Sequence, residues 1–423
     1  MPRPPSFRRS QVAIAALFCF LGFQYGTWVS RVPALKTHLS LSTAEVGLLL
    51  LAPGVGALVS FPLVARLMKQ LGSRRLSTVS AFALLVVLAA LSAAPNFAVA
   101  GVVLFLDGVS IACLNVAMNA QGAALEAQYE RNTMATLHAV FSGGTFAAAL
   151  LASAVTAITG SLPVHFAVAG VLLLALVLVS WTGTLAEDAP AEPAAETPAP
   201  KKARRWALPS LMVLWLCVAM VFGELTEGAM NDWSALYLRD VAHAATQLTP
   251  LGIATVSATM VLARLFADRW RSRWGDKRVV LVGTALAAAG LSGALLLGGW
   301  IPALAGFACV GLGMAAVTPC IYVAAARLGS DALALVASAG TAGLLVGPPV
   351  IGFVAGSSSL VWGLTVVVAA IVLIFLSITQ ISFATPDAAS ESSAASESSA
   401  ASGSTAQSEA ARETDDETAP AGA

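Results

Sequence analysis

Long stretches without a charged side chain alternate with short basic clusters along this chain. No Asp, Glu, Lys or Arg occurs in residues 10–30, 46–65, 76–106, 132–186, 206–223, 241–263, 279–326 or 332–386. A helix of about 20 apolar residues crosses a hydrocarbon core about 30 Å thick. Each run is therefore long enough, or nearly so, to span a membrane, and the longest must span it twice. Turn residues divide the long runs at Pro163, at Gly298 to Pro302 and at Gly356 to Ser359. A further run, Phe97 to Glu126, carries the single acid Asp107. The pattern predicts twelve spanning helices, at 11–35, 44–68, 76–94, 97–126, 133–159, 163–183, 207–238, 247–270, 279–299, 301–327, 332–356 and 360–383.

Composition agrees. Charged residues make up 11% of the chain and hydrophobic residues 57%, against roughly 25% charged in soluble domains. A water-soluble globular chain is excluded, because its core helices would need polar faces that these segments lack. The first apolar run follows Arg8 and Arg9 as a secretory signal would, but no small-residue cleavage site follows and eleven more spans do. It is read as a helix.

The net charge of zero separates by place. The body carries 18 basic and 11 acidic residues, the segment 185–205 four of each, and the tail from Ala384 one and eight. With both termini cytoplasmic, 20 of the 23 basic residues fall on the inner side and only Arg31, Lys36 and Arg239 on the other, which is the positive-inside bias. The expected layout is a cytoplasmic N-terminus (1–9), a six-helix bundle (10–184), a cytoplasmic linker (185–205), a second six-helix bundle (206–383) and an acidic, disordered cytoplasmic tail (384–423). The tail repeats Ser-Glu-Ser-Ser-Ala-Ala, residues that cannot form a core. The expected location is the cell (inner or plasma) membrane, with multiple passes. None of the five cysteines forms a Cys-x-x-Cys pair, so they read as small packing residues.

The two halves repeat each other at an offset near 203. Arg66, Gly72, Arg74 and Arg75, after the second span, correspond to Arg269, Gly275, Lys277 and Arg278 after the eighth. Trp28 and Gly47 answer to Trp233 and Gly252, and Gly108 answers to Gly311. Two homologous bundles around a central axis suit rocking about a midplane site. The fold class expected is thus an all-α membrane protein of twelve helices in two pseudo-symmetric bundles.

At this point the chain resembles the major facilitator superfamily over residues 10–383. The Gly-Ser-Arg-Arg loop at 72–75 is similar to that superfamily's loop between its second and third helices. More specific are Trp28-Val-Ser-Arg31-Val-Pro33, Asn115-Val-Ala-Met-Asn119-Ala-Gln121-Gly, Glu227-Gly-Ala-Met-Asn-Asp-Trp-Ser and Val346-Gly-Pro-Pro-Val-Ile-Gly352. These resemble the MosC/YbjJ-like branch. Three departures accompany the likeness. Lys69 stands where the loop motif has an acid, and in the second half Asp268 and Arg269 stand seven and six residues before Gly275. The Gly-Pro of the fifth helix in drug antiporters is missing, which counts against drug efflux. The gating loops implied are Arg66, Gly72, Arg74, Arg75, Asp268, Arg269 and Gly275.

Chemistry must come from polar residues inside the membrane, where a central Asp costs about 2.5–3.5 kcal/mol. Seven of the body's acids sit at helix ends, and Ser42-Thr-Ala-Glu45 reads as a capping box. Asp107, Glu224, Glu227 and Asp232 remain. Glu224, Glu227 and Asn231 share one face of the seventh span, with Trp233 close by and Asp232 off the stripe. Gln24, Trp28 and Arg31 share one face of the first span, with Tyr25 at its edge. If both faces point inward they line a cavity with hydrogen-bonding groups and aromatic rings. Asn115 and Asn119 on the fourth span and Thr318 and Tyr322 on the tenth would extend it, although such residues also serve as interhelical packing contacts.

A low-dielectric interior disfavours the charged carboxylate, so carboxylates there can load and release protons. Glu224, Glu227 and Asp107 are the candidates for proton coupling. Gln24, Tyr25, Trp28, Arg31, Asn115, Asn119, Asn231, Trp233, Thr318 and Tyr322 are the candidates for holding a solute. A structural ion pair of the glutamates with Arg31 or another base stays open, as does a simple hydrogen bond for Asp107. No Gly-x-x-x-x-Gly-Lys loop or His-Glu-x-x-His occurs. The four scattered histidines form no catalytic constellation, and no enzyme activity is expected. Metal, cofactor and nucleic acid are not expected either; the partners expected are a small solute, protons and the bilayer, and the chain is expected to be a monomer. The reading is a proton-coupled secondary transporter of a small polar organic solute by alternating access, sugar- or cyclitol-like by the branch resemblance. Symport is favoured, an efflux antiporter of drugs or metabolites and a non-transporting sensor remain alternatives, and the direction of transport is open.

Overall fold

The computed structural model describes residues 6–131, 133–185 and 209–381. Nearly all of the 185–205 linker and the 384–423 tail therefore lie outside the described residues. The elements are helices: α1 (Phe7–Val29), α2 (Val32–His38), α3 (Thr43–Val59), α4 (Phe61–Ser92), α5 (Phe97–Tyr129), α6 (Met134–Ile158), α7 (Leu162–Trp181), α8 (Leu211–Asp240), α9 (Leu251–Trp274), α10 (Asp276–Leu297), α11 (Trp300–Met314), α12 (Val317–Arg327), α13 (Ser330–Ser357) and α14 (Leu360–Gln380), with a 3-10 turn at Thr246–Leu248.

Eleven helical stretches are long and apolar enough to cross a membrane, and Thr43–Val59 is a shorter apolar helix. Twelve crossings follow from one kink. Gly72 breaks α4 with φ 70° and ψ 166°, so α3 with the first part of α4 makes the second crossing and the remainder of α4 the third. Gly275, its repeat partner, takes φ 79° and ψ 151° between α9 and α10. Both conformations lie at positive φ, where a side chain clashes and glycine does not. The offset seen in the sequence is thus a repeated backbone turn.

Prolines set the other breaks. Pro62 stands in the first turn of α4 and Pro319 in that of α12, just after the interruptions at Ser60 and at Ala315 to Ala316. A proline ring clashes with the carbonyl four residues earlier and supplies no N–H, so the preceding helix stops. Polar caps fix several starts. Ser42 and Glu45 form the expected capping box, and Asn96 accepts from the Val99 N–H at 3.0 Å.

Each half buries its first helix. α1 packs on α5, α6 and α7, and α8 packs on α13 and α14. Apolar side chains such as Val86, Val102, Val171 and Val282 stay exposed on the outside, as a lipid-facing surface requires. The halves meet mainly where α3 runs beside α13 and α6 beside α9. There the backbones come close: a Cβ on Gly47 would fall 2.9 Å from the Gly352 Cα, so larger residues would hold the halves apart.

Candidate functional site

The polar groups within the membrane separate into a set between the halves and a set enclosed in the first half. Between the halves, α1 and α6 face α8 and α9 around a cavity of about 40 Å³, whose wall includes Tyr25, Ser142, Thr145, Glu227, Asn231 and Ser257. Tyr25 Oη donates to Asp232 Oδ1 at 3.0 Å and so ties α1 to α8. Glu227 accepts from Arg264 Nη2 at a long 3.5 Å. One turn along α8, Glu224 Oε1 accepts from Thr318 Oγ1 of α12 at 3.3 Å. Tyr322, half-buried, lies one turn further along α12.

The polar stripe on α1 does not face this cavity. Gln24 and Trp28 are buried, and Arg31 is 3% exposed. Gln24 Nε2 donates to Asp107 Oδ1 of α5 at 2.8 Å, with the Trp28 indole beside it. Arg31 donates to Thr156 Oγ1 and, at 2.6 Å, to the Gly160 carbonyl. The expected inward face of α1 is corrected accordingly: Gln24 and Trp28 point into their own half, and Arg31, just past the end of α1, is bonded within that half. The cause is packing, since α1 is enclosed by α5, α6 and α7 and a buried polar group needs a partner there. Tyr25, one residue off the stripe, is the α1 side chain that reaches the other half.

On α8 the expectation is met in part. Glu227 and Asn231 line the cavity, whereas Trp233 is fully buried within the second half. Asp232, set aside in the sequence as off the stripe, is buried and bonded across the halves. Asn119 bonds Asn115, Nδ2 to Oδ1 at 2.9 Å, on an exposed side of α5. Among the described residues no hydrogen bond joins that pair to the second half.

The gating-loop residues lie together at the end of the bundle that holds Phe7 and Ile381. Arg66, Arg75 and Arg269 are exposed there and Arg74 is half-buried, while the side chain of Asp268 lies outside the described residues. Gln121, quoted in a motif but given no role from the sequence, holds this end. It is fully buried, donates to Ser73 Oγ at 2.7 Å and to the Leu185 carbonyl at 3.1 Å, and accepts from the Leu185 N–H at 2.7 Å. In the second half, Arg271 Nε bonds Asp276 Oδ1 at 2.9 Å, and Lys277 caps the end of α14 through the Thr379 and Ile381 carbonyls.

At the distal end, further bonds join the halves. Lys36 meets Asp240 at 2.7 Å. Arg239 donates to the Pro33 carbonyl and to Thr37 Oγ1, and Ser153 donates to the Gln247 carbonyl. With Tyr25 and Asp232, these contacts fasten the halves away from the termini.

Comparisons with known proteins agree with this architecture. The family model described as Major Facilitator Superfamily matches residues 12–329 and 243–414. An uncharacterized transporter of Sinorhizobium fredii is 33% identical over 356 residues, covering 82% of this chain and 91% of its own. Membrane protein MosC of Rhizobium meliloti is 29% identical over 393 residues, covering 88% of this chain and 89% of its own. Among solved structures, a bacterial homolog of the human lysosomal transporter Spinster superposes with TM-score 0.69 at 13% identity, covering 89% of this chain and 98% of that one. The nucleoside transporter NupG gives 0.65 at 15%, covering 89% and 99%.

Proposed function

The chain belongs to the major facilitator superfamily, and from that premise we propose that it carries a small polar organic solute, sugar- or cyclitol-like, by alternating access coupled to protons. The observation that carries the reading is the placement of carboxylates at the junction of the halves. Glu227 lines the cavity there, Asp232 is bonded across it to Tyr25, and Glu224 sits one turn away on Thr318. An acid held in the membrane interior is costly and marks ion or substrate pathways, and a junction between two homologous bundles is the place where their rocking changes its surroundings.

Space supports the same reading. A cavity of about 40 Å³ holds a few waters but no organic solute, since one water needs about 10–15 Å³ by a comparable measure. A solute reaches Glu227 and Asn231 when the halves part. The distal bonds of Lys36, Arg239 and Tyr25 are then the contacts that break and re-form. Asn231, Asn115, Asn119 and Tyr322 supply hydrogen bonds to the solute, and Tyr25 supplies an aromatic ring.

Uptake of labelled sugars and inositols into proteoliposomes, with and without an imposed pH gradient, tests the proposal. The expected result is accumulation that depends on the gradient and loses that dependence in the Glu224→Gln/Glu227→Gln double variant. Unchanged gradient dependence in that variant rules out coupling through these glutamates.

A further inference from the structure

A polar crevice lies at the distal end, apart from the cavity at Glu227. A crevice of about 470 Å³ opens between the halves, with Arg31, His38, Thr156 and Gly160 on one side and Arg239 and Thr246 on the other. Its volume falls in the range of about 300–1,000 Å³ common for small-molecule sites. No carboxylate lies on its wall among the described residues.

Arg31 is the unusual member. It is 3% exposed, yet the groups it meets, Thr156 Oγ1 and the Gly160 carbonyl, are both uncharged. A guanidinium offers five N–H donors, and its buried Nε atom has no partner among the described residues. The titratable group close enough to sense its charge is His165, another base. The other cations of this region do have a carboxylate partner, since Lys36 and Arg239 share Asp240 at 2.7 Å and 2.6 Å. A buried cation without a counter-charge is expensive. Here both groups that hold it also form the wall of an open crevice.

We propose that this crevice is a binding site for a small organic monocarboxylate, with the carboxylate seated on Arg31. Arg31 meets no counter-charge of its own, and its planar guanidinium matches the geometry of a carboxylate. The hydroxyls of Ser30, Ser92, Thr156 and Thr246 around the crevice suit a ligand that also carries hydroxyl groups. The site is separate from the cavity at Glu227, and the inference stands without any assumption about coupling.

Direct binding to the purified full chain in lipid nanodiscs tests it. Calorimetric titrations and thermal shifts are measured with acetate, lactate and galacturonate, with galactose as the neutral counterpart of galacturonate and sulfate as an inorganic anion. At least one carboxylate is expected to bind saturably where galactose and sulfate do not. Replacing a charged hydrogen-bond partner should weaken that binding by roughly tenfold or more in Arg31→Gln. Thr246→Trp fills the crevice from an exposed position and leaves Arg31 in place, so it should also abolish binding even if Arg31→Gln fails to fold. Saturable binding by none of the three carboxylates, equal binding of sulfate, or carboxylate affinity unchanged in Thr246→Trp would each overturn the proposal. Since transport is not the readout, that result would leave the reading of Glu224 and Glu227 untouched.

Discussion

The bond between Tyr25 and Asp232 gives a quantitative handle on how firmly the halves are joined. The two residues stand 207 positions apart on α1 and α8, with Tyr25 Oη 3.0 Å from Asp232 Oδ1. In Tyr25→Phe the donor is lost with little change in volume, and in Asp232→Asn the carboxylate acceptor is exchanged for a weaker amide one, so the bond is lost in the first and weakened in the second. Interhelical hydrogen bonds in membranes contribute about 0.6 kcal/mol on average and about 1.7 kcal/mol at most. At about 1.4 kcal/mol per tenfold, losing this one should shift the balance toward a distally open state by about threefold to sixteenfold. The assay is a pulsed electron-spin distance measurement between labels at Ala93→Cys and Ala245→Cys, both exposed at the distal end. Cys19, Cys217 and Cys309, the native cysteines that are not fully buried, are first replaced. Both single variants should populate a longer distance, and Tyr25→Phe/Asp232→Asn should populate it no more than the stronger single. The reasoning fails if the singles keep the parent distribution, or if their effects simply add in the double, because additive effects mean that the two side chains do not act through one bond.

Two other perturbations test the packing that positions this bond. Gly275 has φ 79°, and a Cβ there would meet no neighbouring atom within 4 Å; Gly275→Ala should therefore cost about 1–3 kcal/mol through backbone conformation alone, read as a lower Tm in detergent. An unchanged Tm would show that this turn can relax without glycine. Gln24→Leu removes the amide that donates to Asp107 at 2.8 Å and should cost about 1–3 kcal/mol. Gln24→Leu/Asp107→Leu should recover part of that loss, and a double variant less stable than Gln24→Leu would mean that Asp107 is held by something other than this amide.

The fold was legible because the forces that set it act locally along the chain. Charge-free length fixes a crossing, and every expected span has its helix, with ends displaced by a few residues. The breaks within crossings were less visible. Pro62 and Pro319 fall inside the expected spans 44–68 and 301–327, whereas in the structure they stand in the first turns of new helices after Ser60 and Ala316. Gly72 carried a signal in its repeat partner Gly275, but only the dihedral angles show why both must be glycine. Gln121 could not have been found by periodicity, since its bonds to Ser73 and Leu185 join segments that are distant in sequence.

The site was harder to read because helical spacing says which residues share a face without saying where that face points. Gln24, Trp28 and Arg31 do share one, but a tightly enclosed first helix turns it toward its own half, where Asp107 bonds Gln24 and where Thr156 and Gly160 bond Arg31. The residues that reach the other half are neighbours of the stripes: Tyr25 next to Gln24, and Asp232 next to Asn231. Consecutive residues are about 100° apart around a helix, so a rotation of that size exchanges one set for the other. A signal that narrows the choice was nevertheless present in the repeat. Helices related by a two-fold axis and packed beside it bring equivalent positions together, so their contacts should recur near the repeat offset. Among the described residues, the four hydrogen bonds joining α1 and α2 to α8 have separations of 202, 204, 206 and 207 residues, bracketing the offset of 203 to 205 that relates the halves. At that offset Tyr25 is paired with Gly228 to Met230 rather than with Asp232, so the repeat brings the search to within about one helical turn and packing decides the last step.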